Sequence, residues 1–187
     1  MGEKDMDYFE ALYDVARVIN ASLDPPFVMA EIARCVVSAM RLKASSTRLL
    51  DSRGKSLVMG AAYGLSEEYL QKGPVLIEES GIDQAALNGK TIWIKDAQTD
   101  KQFQYGDMAK KEGIKSVLVT PLFLESKVVG VLRGYTARVR KFSEQEIRFL
   151  EAAANLSAIA LDNARLHQKL KINCDLMAAH KYRIDDN

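Results

Sequence analysis

Hydrophobic positions recur along this chain at two spacings. Between residues 7 and 20, Phe9, Leu12, Val15 and Ile19 fall at steps of three and four, which predicts an amphipathic helix ending near Asn20. Asp24-Pro25 then offers an N-cap and a first-turn proline. The second helix should reach about Leu42, with Val28, Ile32, Cys35, Ala39 and Leu42 on one face. The period then shortens. Residues 44–51 and 56–63 read as strands around the turn Asp51-Ser52-Arg53-Gly54, giving a hairpin. The clearest run is Glu112 to Glu146. It predicts a strand from Lys115 to Leu124 broken at Pro121, a polar turn at Glu125-Ser126-Lys127, and a second apolar strand. A helix should start at Ser143, where Glu146 has the capping-box spacing.

Short elements fill the middle. Ser66 caps a brief helix that stops at Gly73, and residues 74–78 form a small strand. Residues 81–88 form a helix with Gly89 as its left-handed terminator, and TIWIKD (91–96) alternates like a strand. Residues 97–113 read as a loop with one helical turn, 107–112, stopped at Gly113; a loop of this length in a compact domain is often functional. The last helix continues past Leu170. Ile147, Leu150, Ala154, Ser157, Leu161 and Ala164 mark one seam; Leu166, Leu170, Asn173 and Met177 mark a shifted, more polar one. Helical entry, antiparallel hairpins and a long exit helix make an α+β domain.

Five stretches in this order resemble the GAF domains, small sensory modules of phosphodiesterases, phytochromes, histidine kinases and bacterial regulators. They are ASSTRLLDSRGKSL, GAAYGLSEEYL, SGIDQAALNGKTIWIKDAQTD, EGIKSVLVTPLFLESKVVGVL and RKFSEQEIRFLEAAANLSAIALDNARL. The resemblance implies a GAF fold: a central antiparallel sheet of five or six strands, with the terminal helices on one face. The short helices and long loop of residues 64–113 would cover a pocket on the other. It places one domain over residues 1–170, with 171–187 as a tail or helix extension. It also implies a homodimer formed through the terminal helices, which pass a signal to an output protein.

Composition narrows the classes. A chain of 187 residues with 48% apolar content fits one packed domain. A formal net charge of +1 gives no strong field toward nucleic acid. The one basic cluster, Arg133 to Lys141, lacks helix-turn-helix context and reads as a solvated strand end. No apolar stretch approaches the ~20 residues that span a bilayer. The polar start, MGEKDMDYFEAL, lacks the basic and apolar regions of an export signal, and with only two cysteines a reducing cytoplasm is expected. Neither nucleic acid nor membrane is expected as a partner.

Reactive groups are sparse. The Asn-Lys…Phe…Asp-Glu signature of cyclic-nucleotide GAF domains is missing, since Asn88-Gly89-Lys90 is not adjacent and no Phe-x-x-x-Asp-Glu follows. Bilin attachment needs a pocket cysteine, but Cys35 sits on a helix face and Cys174 in the tail. Haem and metal sites need clustered ligands, and the histidines His167 and His180 both lie on or after the exit helix, so no metal and no cofactor is expected. One GAF subfamily reduces free methionine-R-sulfoxide with cysteines near its pocket. No cysteine lies between Cys35 and Cys174, which argues against that enzyme, and no catalytic residue is assigned.

The positive candidates for a ligand pocket are Tyr63, Tyr69, Trp93, Phe103, Tyr105, Met108, Val119 and Arg133. Aromatics with polar edges suit a small-molecule pocket, and plain core packing is an equal reading. Arg48 and Arg133 interrupt apolar strands. Each is either a carboxylate or phosphate partner inside a pocket or, the commoner arrangement, a side chain pointing to solvent. The expected function is a non-enzymatic sensory module that binds an unidentified small molecule. The alternatives are a dimerisation or docking module with a self-filled pocket, supported by the Ala-rich face 152–164, and an enzyme of the sulfoxide-reductase type.

Overall fold

A computed structural model describes the backbone of residues 8–185 and the side chains of residues 8–177. The first seven residues, part of the start weighed against an export signal, and the side chain of His180 lie outside the described residues. The element order begins with α1 (Tyr8–Ala21), α2 (Pro25–Met40), β1 (Ala44–Leu50) and β2 (Ser56–Tyr63). It continues through α3 (Glu67–Leu70), β3 (Val75–Leu76), a 3-10 turn (Ile77–Glu79), α4 (Gly81–Leu87), β4 (Ile92–Ile94) and α5 (Gly106–Glu112). It closes with β5 (Val117–Leu124), β6 (Lys127–Tyr135) and α6 (Glu144–Asp185). The strands form one six-stranded antiparallel sheet in the order β3-β2-β1-β6-β5-β4.

The sheet carries a core on each face. On one, α1, α2 and α6 bury Val15, Ile32, Val36, Phe149, Leu150 and Ala154 against Leu118, Leu122 and Leu132. Burying each large aliphatic side chain here contributes about 1.5–3 kcal/mol of transfer free energy. Ala153, Ala154, Ser157 and Ala158 are buried in this layer, so the Ala-rich stretch of α6 lets the helix approach the domain's own sheet. On the other face, α3 to α5 and their connections bury Leu57, Tyr69, Ile82, Phe103 and Ile114 against Val117, Val119, Val131 and Tyr135. Strands covered on both sides read as nearly continuous apolar runs, which is why β5 and β6 dominate the hydrophobic pattern.

Helix punctuation follows the sequence closely. Ser66 Oγ accepts from the Tyr69 amide (3.2 Å) and caps α3. Gly89 and Gly113 take left-handed conformations, at φ 84° and 72°, after α4 and α5. The capping box of α6 is reciprocal: Ser143 N donates to Glu146 Oε2 (2.7 Å), and Glu146 N donates to Ser143 Oγ (3.2 Å).

Three expectations change. Asp24 precedes α2 without a side-chain capping bond; prolines at the first two helical positions leave fewer amides to cap. Phe9 is exposed, and Val15 is the one fully buried residue of α1. Pro121 does not break its strand: β5 runs through it, with Pro121 opposite Val131. Its other neighbour, β4, pairs only with Val117–Val119, so no ladder bond is lost on that side.

Gly130 lies where β1, β5 and β6 meet, opposite Leu49 and Leu122. A methyl group there would overlap the Arg48 carbonyl oxygen and lie 3.1 Å from Leu49 Cα, both backbone atoms that cannot swing aside. Gly130→Ala should therefore destabilise the fold by about 1–3 kcal/mol in urea unfolding. An unchanged midpoint would show that β1 shifts freely against β6.

Candidate functional site

The covered face of the sheet holds an unusual concentration of buried charge. Arg133 stands on β6 opposite Ser46 of β1 and Val119 of β5. Arg48, two residues beyond Ser46, is its diagonal neighbour on the same face, a relation that brings long side chains within reach. Arg48 is 0% and Arg133 1% exposed. Both therefore depart from the solvent-facing arrangement expected of strand arginines, and Arg133 is no part of a solvated strand end. Both faces of β1 and β6 are covered, so any side chain at these positions is buried.

Arg133 is ion-paired with Asp83 of α4, itself 2% exposed, through a very short contact. Asp83 is fixed from behind: Ser80 Oγ donates to its Oδ2 (2.6 Å), and the Asp83 amide donates to Ser80 Oγ (3.4 Å). Burial would lower the Arg133 pKa, but the Asp83 carboxylate outweighs it and holds the guanidinium firmly charged. Arg48 has no such partner. Its Nη1 reaches the Leu57 carbonyl at 3.4 Å, while Nε and Nη2 are buried without a hydrogen bond. Burial first, and then Arg133, pushes its pKa down. An arginine nevertheless stays protonated in proteins.

Lys72, in the turn between α3 and β3, completes the group. Its Nζ is buried, lacks a hydrogen-bond partner, and sits over the rings of Tyr105 (4.0 Å) and Tyr69 (4.4 Å). Burial, then Arg48 and Arg133, pushes its pKa from 10.5 down to about 6, against a smaller opposing pull from Asp83. Tyr69 packs edge-on to Tyr135 (6.2 Å), and its Oη is also buried without a partner. Burial raises its pKa first, and the neighbouring Tyr135 adds to it. Tyr135 Oη bonds Ser46 Oγ (2.8 Å). Three basic groups thus feel one another around one carboxylate.

A surface cleft of about 360 Å³ opens beside this cluster, lined by Ser66, Glu68, Tyr69, Met108, Lys111 and Glu112. Tyr69 belongs to both cleft and cluster. Lys111 and Glu68 of the lining pair with each other (3.4 Å), and Glu112 accepts from Ser66 and pairs with Lys43 at 3.4 Å.

Of the eight residues singled out in the sequence, Tyr69, Phe103, Tyr105, Met108, Val119 and Arg133 lie beneath or within the cover. Tyr105 Oη donates to the Pro74 carbonyl (2.7 Å), stitching the long loop to β3. Tyr63 and Trp93 lie elsewhere. A bulge at Gly60 pairs Arg48 with Met59 but Thr47 with Ala61, and this one-residue shift turns Tyr63 to the helical face, near Arg34. Trp93 alternates with the inward Ile92 and Ile94, and its Nε1 donates to the Arg140 carbonyl (3.0 Å). The sequence reading did not single out Lys72, Asp83, Ser80 or Tyr135. Ser80-x-x-Asp83 reads as an ordinary helix cap, which it also is, and Lys72 sits in a Gly-Pro turn that reads as solvated. The thiols lie away from the cluster: Cys35 is half-buried among the α1–α2–α6 layer, with burial raising its pKa, and Cys174 is exposed on α6. His167 is exposed. No group of three or more metal-ligating side chains occurs among the described residues, and no helix among them is long and apolar enough to cross a membrane.

The GAF domain family model matches residues 26–162. The methyl sulfide methyltransferase-associated sensor of Methanosarcina acetivorans is 28% identical over 128 residues, 66% of this chain and 13% of that protein. The chain thus spans about an eighth of that relative's length. The GAF domain of a Coxiella burnetii phosphoenolpyruvate-protein phosphotransferase superposes with TM-score 0.78 at 18% identity, covering 89% of this chain and 99% of its own. Free methionine-R-sulfoxide reductase from Neisseria meningitidis superposes with TM-score 0.73 at 20% identity, covering 89% and 95%. At these identities the structural likeness establishes the fold alone.

The state of Lys72 gives a measurable signature. Its amine is largely neutral in the fold above about pH 6 but protonated in the unfolded chain up to about 10.5. The unfolded state therefore binds more protons in that interval, and stability should rise with pH. Between pH 6.5 and 8.5 the slope from this group is at most ~1.4 kcal/mol per pH unit. Lys72→Met should flatten that part of the urea-unfolding profile; parallel profiles would show that Lys72 keeps its charge in the fold.

Proposed function

The chain belongs to the GAF domain family, and from that premise we propose that it is a non-enzymatic sensory module holding a small molecule between the sheet and the cover of residues 64–113. The observation that carries this reading is the set of buried, unpartnered polar atoms converging under the cover: Arg48 Nε and Nη2, Lys72 Nζ and Tyr69 Oη. Buried polar groups are nearly always satisfied, and a converging set that is not marks a place for a missing partner. The name of the Methanosarcina relative, a sensor, agrees with this role. The placement of both thiols outside the cluster supports a binding rather than a reductase chemistry.

Occupancy would draw α3, α4 and the loop before α5 onto the sheet. Signal output would follow β6, which carries Arg133 and leads through residues 136–143 into α6. From Arg165 to Met177 every residue of α6 is exposed, including Leu166, Leu170, Ile172, Leu176 and Met177. A helix projecting apolar residues into water gains stability from a partner rather than from its own propensity. A second copy of the chain through the terminal helices, and an output protein beyond it, fit that surface. The self-filled alternative has one observation in its favour: Tyr69 and Tyr135 pack directly on each other beneath the cover.

Thermal-shift and native mass-spectrometric screening against amino acids, nucleotides, sugars and organic acids should reveal a ligand. Hydrogen exchange should then slow in residues 64–113. A screen without a hit would favour the self-filled module. Light scattering at micromolar concentration should give twice the chain mass, shifting to the monomer when Leu166, Leu170 and Met177 are changed to Ser. A monomeric wild type would remove the dimer.

A further inference from the structure

We infer that the covered cluster is an oxyanion site, in which the carboxylate or phosphate group of a small molecule docks against Arg48, Lys72 and Tyr69. The inference rests on the small-molecule reading above and names the chemistry of the ligand.

The unpartnered atoms share one property: they donate. Arg48 Nε and Nη2, Lys72 Nζ and Arg133 Nε are donors or protonatable amines, and Tyr69 Oη carries a proton. The one carboxylate among them is already used. Asp83 gives one oxygen to Arg133 and the other to Ser80 Oγ. A neutral ligand rich in donors would leave the Arg48 guanidinium edge without an acceptor, and a cation would meet like charge. An oxyanion brings two or three acceptor oxygens and at most one or two donors, which complements the set. The guanidinium edge of Arg48 formed by Nε and Nη2 is the edge that takes two carboxylate or phosphate oxygens side by side.

Charge gives a second, independent reason. Arg48 is 0% exposed, cannot discharge, and lies diagonal to a second arginine whose counterion is spoken for. A fold shaped only for stability would carry an apolar side chain there. Lys72 responds differently. The groups that face it are Tyr69 from α3, Tyr105 from the loop before α5, Arg48 from β1, Arg133 from β6 and Asp83 from α4. An anion added to that set would raise its affinity for a proton, so docking should take up a proton near neutral pH. The cleft between α3 and α5, walled by Tyr69, is the route by which a small molecule would enter.

The test is calorimetric titration of the full chain with inorganic phosphate and with succinate. It is run at constant ionic strength in chloride and in two buffers of different ionisation enthalpy, at pH 7.5. At least one of the two should bind with net proton uptake. Arg48→Met and Lys72→Met should each weaken it at least ~tenfold, and the proton uptake should vanish in Lys72→Met. Without ligand, Arg48→Met should melt ~2 °C or more above the wild type, because an uncompensated charge has been removed. If Arg48→Met fails to fold, Arg48 is a structural residue and the assignment falls. Equal binding by wild type and Lys72→Met would place the anion on the surface and also overturn it. If neither anion binds but a neutral or cationic compound from the screen does, the oxyanion assignment fails and the small-molecule reading stands. If nothing binds, both fail.

Discussion

The pairing of Arg133 with Asp83 fixes how the two halves of this domain meet. Arg133 stands mid-sheet, on a strand paired on both sides, and Asp83 stands in the first turn of a short helix in the cover. Both are almost fully shielded from water, so neither can exchange its partner for solvent at low cost; losing one member of such a pair costs about 3–5 kcal/mol. The bond places α4, which in turn seats Ile82 and Ala86 in the core. Ser80, which orients Asp83, also reaches the Gln102 carbonyl at 3.4 Å, so the long loop takes its position from the same point. The rest of the cover rests on that anchor through weaker contacts, such as Tyr105 on Pro74 and Gln104 on Leu76.

The two faces of the sheet divide the labour. The helical face is filled by aliphatic side chains with alanines at the closest approach, a packing that tolerates little movement. The covered face mixes apolar residues with arginines, a lysine and hydroxyl groups, and its roof is built from helices of four to seven residues. Such short helices owe their stability to contacts rather than to propensity, which makes the roof the part of the GAF domain best able to rearrange. β6 belongs to both faces, with Leu132 on one side and Arg133 on the other.

Most of the architecture was legible from hydrophobic spacing and caps, because these are local signals. The Ser143–Glu146 box, the terminators Gly89 and Gly113, and the hairpin of β1 with β2 all rest on residues near one another in sequence. The site was legible in outline only. Tyr69 and Arg133 could be singled out, but period-two alternation places Tyr63 on the same face as Leu57, and only the bulge at Gly60 reverses it. The orientation of Arg48 and Arg133 could not follow from alternation either, because alternation distinguishes faces only when one of them is wet. Asp83 was hidden by having two roles, one of them the ordinary duty of a helix cap. Lys72 becomes part of the cluster only through a turn that folds back over Tyr69 and Tyr105.

The link between β6 and α6 is braced from several directions. Arg140 receives the Trp93 indole N–H at its carbonyl, donates its amide to Ser116 Oγ (3.0 Å), reaches the Met40 carbonyl (3.4 Å) and pairs with Glu146. Thr136 Oγ1 is held by the Ser116 and Arg138 carbonyls. The joint therefore has little slack, and with Phe149 to Ala164 packed on the domain, α6 is clamped along its first half and free only beyond Ala164. At 1.5 Å per residue the projecting part, residues 165–185, extends about 30 Å. Each degree of bend where the helix leaves the domain then sweeps the far end through roughly 0.5 Å. A bend of a few degrees at that exit point moves the tip by about 1–2 Å while the packed half of the helix stays in place.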